Sequence, residues 1–476
     1  METVLEYCMA QCGKILGDGD KDSEQQHRVS HTFLFLERFQ LDLDFRKLFL
    51  ENPSEALAAA GLELSEEEAI QCLNINPFSI YQEGSHIFRS VCEYYSYFGE
   101  RLRRVWDMRN RLAVAKNPAL ERFRRRQINR CWHQMGASNR GRVHVPVIFE
   151  LSDGCSVGCP FCGVASEKLK SVFRGTLENK ELFYNVLDIC GDIVGEATGE
   201  ATLYYACEPL DNPDYEILAD IFFEQFGKYP QITTAVSTRD RDRIKKILQK
   251  NMSLKNPSIH RFSVLNEGMF KKILNYYTPE ELLYVELLGK YPGAMSSVIL
   301  NSGRAIENRA SDDEYTDSIC CASGFVVNMA RQTIRLITAC PTDRKHPCGE
   351  HVYEEVAFSD SGDFKEKMLY LIDRYMPLSM PMNVPFGIYR NLEIQYNKES
   401  VILRGRDGYC YQVSPTEIPI NIIEEMFHML ETGDLSCYQI LQEVAGETKD
   451  ETLSRLVLLR KLYDDGIIAP VEEIER

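Results

Sequence analysis

"VHVPVIFELSDGCSVGCPFCGVA", residues 143–165, runs from an apolar stretch directly into a loop with cysteines at 155, 159 and 162. The apolar part is short and rich in β-branched residues, so it reads as a buried strand feeding a turn. The C-x3-C-x2-C spacing then gathers three thiolates at that strand's end. Further short apolar runs follow: "ATLYYAC" (201–207), "ITTAVST" (232–238), "HRFSVL" (260–265) and "LLYVELL" (282–288). Between them lie helical patterns such as "NKELFYNVLDICGDIV" and "DYEILADIFFEQF". Strands alternating with helices predict α/β architecture with parallel units. Several units in series predict a whole or partial TIM-like barrel, with chemistry at the C-terminal ends of its strands. The cysteine loop occupies such an end.

Three thiolates in one loop suit two kinds of centre. Structural zinc takes four ligands, usually as two paired clusters, and no CxxC or HxxxH partner lies nearby. A [4Fe–4S] cluster has four irons, so three cysteines leave one iron open to a cofactor or substrate. The C-x3-C-x2-C loop after a first barrel strand resembles the radical S-adenosylmethionine (SAM) superfamily. That resemblance implies a partial (β/α)6 barrel in which Cys155, Cys159 and Cys162 hold the cluster. It also implies SAM chelated by its amino and carboxylate groups to the open iron, and reductive cleavage to a 5′-deoxyadenosyl radical. Phe161 would lie beside the adenine, and an electron donor such as flavodoxin or ferredoxin would be a partner. In the second strand, "YYACEPLDNPDY" supplies Glu208-Pro209 where the superfamily has a Gly-Gly-Glu-Pro-like segment. Ala206 and Cys207 replace the glycines, but Glu208 still offers a charge-assisted bond to the SAM ammonium. Ser237, Ser263 and Asn266, at the ends of the third and fourth strands, are expected at the ribose or carboxylate.

At 476 residues, 44% hydrophobic and 26% charged, the chain is of an ordinary globular type with two to four domains expected. No apolar run reaches the ~20 residues of a membrane span, and the first residues lack a secretory layout. A cytoplasmic protein without membrane partners is expected. Sixteen scattered cysteines then read as ligands, reactive thiols or small buried hydrophobes rather than as a disulfide framework. Residues 1–142 read as a helical N-terminal region. Asn52 as N-cap, Pro53 at the first helical position, Gly61 as terminator and a Ser65/Glu68 capping box mark its helices. This helix–Asn-Pro–helix–Gly-Leu pattern is similar to Nif11-type leader modules. Residues 101–142 hold thirteen Lys/Arg against Asp107 and Glu121, a +11 block in a chain of net charge −17. Such a block can meet an acidic peptide, for which Arg124 to Arg126 would be contacts, or lay arginine stems over the core. No nucleic-acid signature accompanies it, and nucleic acid is not expected as a partner.

The barrel core is assigned to 143–310. Residues 311–385 contain Cys320, Cys321, Cys340 and Cys348 around a hairpin of "GFVVNM" against "TIRLITA". They resemble a reduced SPASM or twitch extension, which implies a possible auxiliary iron–sulfur cluster, although the paired CxxC groups are missing. Residues 386–476 read as a strand meander with an "RDG" turn, then three helical patterns with glycine stops. They resemble a PqqD-like winged-helix module, which implies recognition of a precursor-peptide leader by strand addition. The whole arrangement resembles the radical SAM peptide epimerases of the polytheonamide type. That resemblance implies conversion of L- to D-residues in a ribosomal precursor peptide (leader plus core). The radical removes a Cα hydrogen and a cysteine thiol returns one. Cys340 is the first candidate donor and Cys321 the second. Other readings are a maturase forming thioether or C–C crosslinks with an auxiliary cluster, a non-catalytic leader-binding protein, and an RNA-modifying radical enzyme using the basic block.

Overall fold

The computed structural model describes residues 22–75, 87–295, 302–308, 318–389 and 391–475, with residues 6, 8, 9 and 16. The expected 310/311 boundary lies outside the described residues. The fold is mixed α/β, and its barrel is not closed.

The N-terminal region is helical for the local reasons its sequence carries. Helix α1 (Ser23–Leu41) starts on Asp22, whose carboxylate accepts from the Glu24 and Gln25 N–H groups. Asp42 caps α2 (Leu43–Glu51), and Asn52 caps α3 (Pro53–Ala59) with Pro53 in its first turn. Gly61 leaves that helix at φ +63°, and Ser65 and Glu68 form the expected capping box of α4 (Glu66–Asn74). Helices α5 (Arg89–Asp107) and α6 (Pro118–Met135) complete the region.

Strand β1 (Val145–Glu150) is followed by the two-residue strands β2 (Ser152–Asp153) and β3 (Ser171–Val172), which pair with each other across the base of the cysteine loop. Helices α7 (Leu177–Ile193) and α8 (Tyr215–Phe226) precede β4 (Thr233–Thr234). Then come α9 (Arg241–Met252), β5 (His260–Val264), α10 (Glu267–Tyr276), α11 (Pro279–Leu282) and β6 (Val285–Gly289). β4, β5 and β6 pair in parallel, as β/α units require. β1 pairs instead with β7 (Ala322–Asn328), also in parallel, and β7 turns antiparallel onto β8 (Thr333–Ala339) and then β9 (Glu350–Ala357). The expected hairpin is therefore present, and it extends the sheet on the outer side of β1.

One strand expectation fails. Residues 201–207 form no strand, although the Phe149 N–H donates to the Thr202 carbonyl at 3.0 Å. Side chains have taken the ladder's partners: Glu150 accepts from the Ala206 N–H at 2.7 Å, and the Thr202 hydroxyl donates to the Tyr204 carbonyl at 2.8 Å. The third run, 232–238, shrinks to two strand residues for the same reason, since Glu208 accepts from the Ala235 N–H at 2.9 Å. The sheet is thus open in the middle, where polar side chains converge.

Along β5, His260, Phe262 and Val264 are buried, with Phe262 and Val264 in the main core, while Arg261 and Ser263 point to the opposite, less covered side. β6 repeats this with Glu286 and Leu288. The N-terminal helices flank that edge: the Tyr97 hydroxyl of α5 donates to the Leu283 carbonyl at 2.6 Å, and Tyr291 bonds Leu41 at the end of α1. Covering β6 removes an exposed strand edge. One core cluster accordingly runs from Leu16 to Met376, including helix α12 (Ser361–Tyr375).

A second core, from Met380 to Ala469, belongs to the C-terminal segment. There β10 (Phe386–Ile388) pairs with β14 (Ile468–Pro470), and β11 (Glu393–Asn397), β12 (Ser400–Arg404) and β13 (Cys410–Val413) form the expected antiparallel meander. The expected three helices are α13 (Ile420–Thr432), α14 (Cys437–Glu443) and α15 (Lys449–Asp464), with α16 (Val471–Glu475) after β14.

The basic block is divided, with five of its thirteen Lys/Arg buried and six exposed. Arg109, Arg124, Arg126, Arg130 and Arg142 are all buried. Arg124 donates to the carbonyls of His144 (2.5 Å), Arg109 and Val143. Arg130 donates to Ala339, Arg142 to Ser318, and Arg126 lies over the Tyr463 ring at 4.3 Å. Arg124 and Arg126 therefore cannot be the leader contacts considered above: they tie α6 to β1, the hairpin and the C-terminal segment.

His27, His31 and Glu63 place ligand atoms within 4.8 Å of one another. A metal is disfavoured, because the Glu63 N–H donates to His31 Nδ1 at 3.0 Å, which leaves the ring proton on Nε2. His27 instead bridges Glu63 (3.1 Å) and Glu280 (3.2 Å), and these bonds, Glu63 first, raise its pKa above 6.5. A raised folded-state value means the contribution is complete below the unfolded value and lost as pH rises through the folded one. His27 is 42% exposed, so the effect is at most ~1 kcal/mol. The urea-midpoint difference between wild type and His27→Gln should therefore shrink from about pH 5.5 to about pH 8.5, and added zinc should not restore it.

Candidate functional site

The cysteine loop leaves β1 at its C-terminal end and is held by bonds that do not involve its sulfurs. Gly154, at φ +86°, lies where a Cβ would fall 2.4 Å from the Lys168 carbonyl, so no other residue fits there. The Cys155 N–H donates to the Glu167 carbonyl, and Ser156 donates from both N–H (2.7 Å) and hydroxyl (2.5 Å) to Asp211. Asn212 donates to the Leu151 and Phe173 carbonyls at the two ends of the excursion. Asp211 and Asn212 directly follow Glu208-Pro209-Leu210, so that segment clamps the loop. Asp211's part in this was not foreseen from the sequence; its place three residues after Glu208 was the available signal. From above, the Arg304 N–H donates to the Cys162 carbonyl, and its guanidinium to those of Cys159 and Ser166.

All three thiols are half-buried. Burial, followed by the neighbouring Cys155 and Cys162 sulfurs, pushes Cys159 up to about 11, so it ionises readily only beside positive charge. The Ser166 N–H points at Cys162 Sγ from 3.4 Å, and the N–H groups of Val157 and Gly158 favour the Cys155 thiolate. The three sulfurs are not among the groups whose ligand atoms all lie within 4.8 Å of one another. Thiolates sharing one tetrahedral zinc would be ~3.8 Å apart, from Zn–S bonds of about 2.3 Å. A donor set of three thiols, spread wider and met by N–H groups, fits a cluster in which each sulfur takes a different iron. Phe161 sits half-buried between two of these ligands.

Glu208 is buried at the gap in the sheet, close enough to Cys155 and Cys159 to act on both. It accepts from the Leu210 and Ala235 N–H groups, and burial pushes it up to about 7. Cys207, where a glycine was the expectation, is close to Cys155, Glu150 and Glu208. Ser237 is fully buried with an unpartnered Oγ. Ser263 is on the less covered side of β5, while Asn266 is exposed and caps α10 through the Met269 N–H. Asn266 is therefore already engaged in helix capping.

The other four cysteines lie at one end of the hairpin, where the Ile319 N–H donates to the Cys348 carbonyl and the Cys340 N–H to the Gly349 carbonyl. Cys320 and Cys321 are neighbours in extended chain and so face opposite ways. Cys320 is fully buried beside Tyr205, whereas Cys321 is half-buried, near Arg261 and Tyr204. Cys348 lies close to Cys162 and Glu350. Cys340, first in the sequence ranking, opens into a different cleft of about 380 Å³, with Arg130, Gln134, His346, His351 and Tyr389.

The less covered side carries further polar groups that the sequence did not single out. Arg261 binds Glu286 at 2.7 Å and keeps 40% of its side-chain surface, and Arg101 of α5 reaches the same carboxylate at 3.9 Å. Glu37 of α1 is close to Arg101 and Glu286, and burial pushes it up to about 8. Tyr204 and Thr233 share a hydroxyl bond of 2.6 Å. On the hairpin side, Arg335 binds Glu350 (3.0 Å), to which the Tyr205 hydroxyl donates (2.5 Å). Together these give the less covered side of the sheet a polar lining, which on the hairpin side reaches Glu150 next to Cys207.

No family model matches the chain. An uncharacterized protein of Sinorhizobium fredii (strain NBRC 101917 / NGR234), y4wI, is 26% identical over 460 residues, covering 94% of this chain and 88% of that protein. Among solved structures, the crystal structure of BtrN in complex with AdoMet and 2-DOIA is similar over 48% of this chain and 81% of that one, at 14% identity and a TM-score of 0.32. No helix among the described residues is long and apolar enough to cross a membrane.

Proposed function

We propose that this chain is a radical SAM enzyme that inverts L-residues of a ribosomally made peptide to D-residues. The observation that carries the reading is the three-thiol loop at the C-terminal end of β1, clamped by the Glu208–Asn212 segment. Cys155, Cys159 and Cys162 would hold a [4Fe–4S] cluster, with Glu208 and Phe161 beside SAM. When bound, that pair supplies a 5′-deoxyadenosyl radical able to remove a Cα hydrogen that no ordinary base takes near neutral pH.

The chain's own residues do the rest. A planar Cα radical takes its new configuration from the face on which hydrogen returns, so a thiol opposite the cluster sets the outcome. Of the two candidates, Cys321 lies beside Arg261 and Tyr204 on the less covered side of the sheet, while Cys340 opens into the cleft of Arg130 and His351. Burial raises the Cys321 pKa and so keeps it as S–H, the form that can give a hydrogen atom. The step forms a Cα–H bond, breaks S–H and leaves a thiyl, which needs one electron and one proton from the external donor to reset. The hairpin and the polar side of the sheet would position the peptide and exclude competing quenchers.

The test is anaerobic turnover of a pooled library of precursor peptides with reconstituted enzyme, SAM and reductant in deuterated water, followed by chiral analysis. One deuterium per D-residue is expected, and Cys321→Ala should still form 5′-deoxyadenosine while losing the D-product. Loss of two mass units would favour crosslinking instead.

A further inference from the structure

The loop joining β8 to β9 carries metal-ligating side chains outside the thiol triad. Cys340, Asp343, His346 and His351 all line the cleft of about 380 Å³. His346 and His351 are separated by four residues, a spacing that zinc ligands use. Their rings meet with His346 Nε2 3.3 Å from His351 Nδ1. That is long for a hydrogen bond. It matches the ~3.3 Å between two imidazole nitrogens on one tetrahedral zinc, from Zn–N bonds of about 2.0–2.1 Å.

The surroundings hold both rings in place. His346 Nδ1 lies 3.0 Å from Asp343 Oδ1, and the same oxygen accepts from the Lys345 and His346 N–H groups at 2.8 and 2.6 Å. This network assigns the ring proton to Nδ1 and leaves the Nε2 lone pair directed at His351, the tautomer that a carboxylate imposes on a metal-bound histidine. His351 is buried, with the Tyr353 ring edge-on at 4.5 Å. β8 and β9 pair Thr338 with His351, and the pairing runs on to Cys340, whose N–H donates to the Gly349 carbonyl. Cys340 comes two residues after Thr338, so its thiol falls on the same side of the sheet as His351.

We infer that His346 Nε2 and His351 Nδ1 bind one divalent cation of the zinc class, with the Cys340 thiolate as third ligand and a fourth position open to the cleft. Two imidazoles and one thiolate suit a single zinc-class ion. Cys340, His346 and His351 are not among the groups whose ligand atoms all lie within 4.8 Å of one another, so the thiol turns inward and releases its proton when the metal binds. The site gives Cys340 a task other than hydrogen return, and it does not depend on the peptide chemistry proposed above.

The probe is cobalt(II), whose visible absorption reports a tetrahedral site and whose near-ultraviolet charge-transfer band reports a sulfur ligand. It is titrated anaerobically into the full-length C155A/C159A/C162A protein, so that the triad contributes nothing. One cobalt per chain with both features is expected, and zinc should displace it. In that background His346→Ala and His351→Ala should each weaken binding by more than ~100-fold, and Asp343→Asn by about 10–100-fold, as loss of an outer partner does. Cys340→Ser should remove the charge-transfer band, and His27→Gln should bind as its parent does. His346 is on a loop, so its alanine variant should keep the parent's urea midpoint without metal, which separates lost binding from lost folding. Absence of cobalt binding, binding that survives His346→Ala, loss of binding in His27→Gln, or a charge-transfer band that persists in Cys340→Ser would overturn the inference. A positive result would stand even if the enzyme made no D-residue, so the two readings fail separately.

Discussion

Replacing Cys155, Cys159 and Cys162 together by alanine is expected to remove iron binding and lower 5′-deoxyadenosine formation from SAM by more than ~100-fold. Loss of residues that merely support metal ligands costs 10–100-fold, and here the ligands themselves are lost. The apo protein should keep its urea midpoint. The loop is shaped by Gly154 against Lys168, by Ser156 on Asp211 and by Arg304 on three carbonyls, and none of these contacts uses a sulfur of the triad. Asp211→Ala gives the complementary result, with all three sulfurs retained but iron bound less tightly, because Ser156 loses both its anchors. Iron content per chain, measured after anaerobic reconstitution, separates the two.

Arg124→Ala should destabilise the folded chain by ~3–5 kcal/mol, whereas Arg125→Ala, one residue away, should cost no more than ~1 kcal/mol. Arg124 is 1% exposed and its donors go to the carbonyls of His144, Arg109 and Val143 and to Glu121. Removing it strands those carbonyls out of water, while Glu121 keeps Arg125 and the Ala115 N–H. Arg125 is exposed and makes one ion pair with Glu121. Urea unfolding of the two variants reads the difference directly, and equal midpoints would restore the block as a surface feature.

These two results bear on what could be read from the sequence. Helix boundaries at Asn52-Pro53, Gly61 and Ser65–Glu68 were legible because the caps are local: the residue that ends the helix also makes the bond. Strand β1, its cysteine loop and the β7–β8 hairpin were legible for the same reason. The C-terminal meander and its three helices followed from alternation and glycine stops. The strand at 201–207 was not, because its apolar pattern is real while its ladder partners are taken by Glu150, Thr202 and Glu208, two of them outside the segment. The arginines of 101–142 were left between two readings because a buried guanidinium and a solvated one look alike in sequence; only distant carbonyls, such as those of Ala339 and Ser318, distinguish them. The polar lining of the sheet was hidden for a related reason. Glu37, Arg101, Arg261 and Glu286 come from four elements spread over 250 residues, and only folding α1 and α5 against β6 brings them together. Cys340 ranked ahead of Cys321 for its place at the end of an expected strand, and the side on which each thiol emerges is a tertiary fact.

The measurement that most directly tests the central reading is 5′-deoxyadenosine formation by the anaerobically reconstituted, dithionite-reduced protein with SAM. It is made beside the electron paramagnetic resonance spectrum of the reduced protein before and after SAM addition. The account expects a reduced [4Fe–4S] signal that SAM alters, and 5′-deoxyadenosine that is absent from the triple-alanine protein. A reconstituted protein that binds zinc in place of iron, or carries a cluster whose spectrum SAM leaves unchanged and yields no 5′-deoxyadenosine, would contradict it.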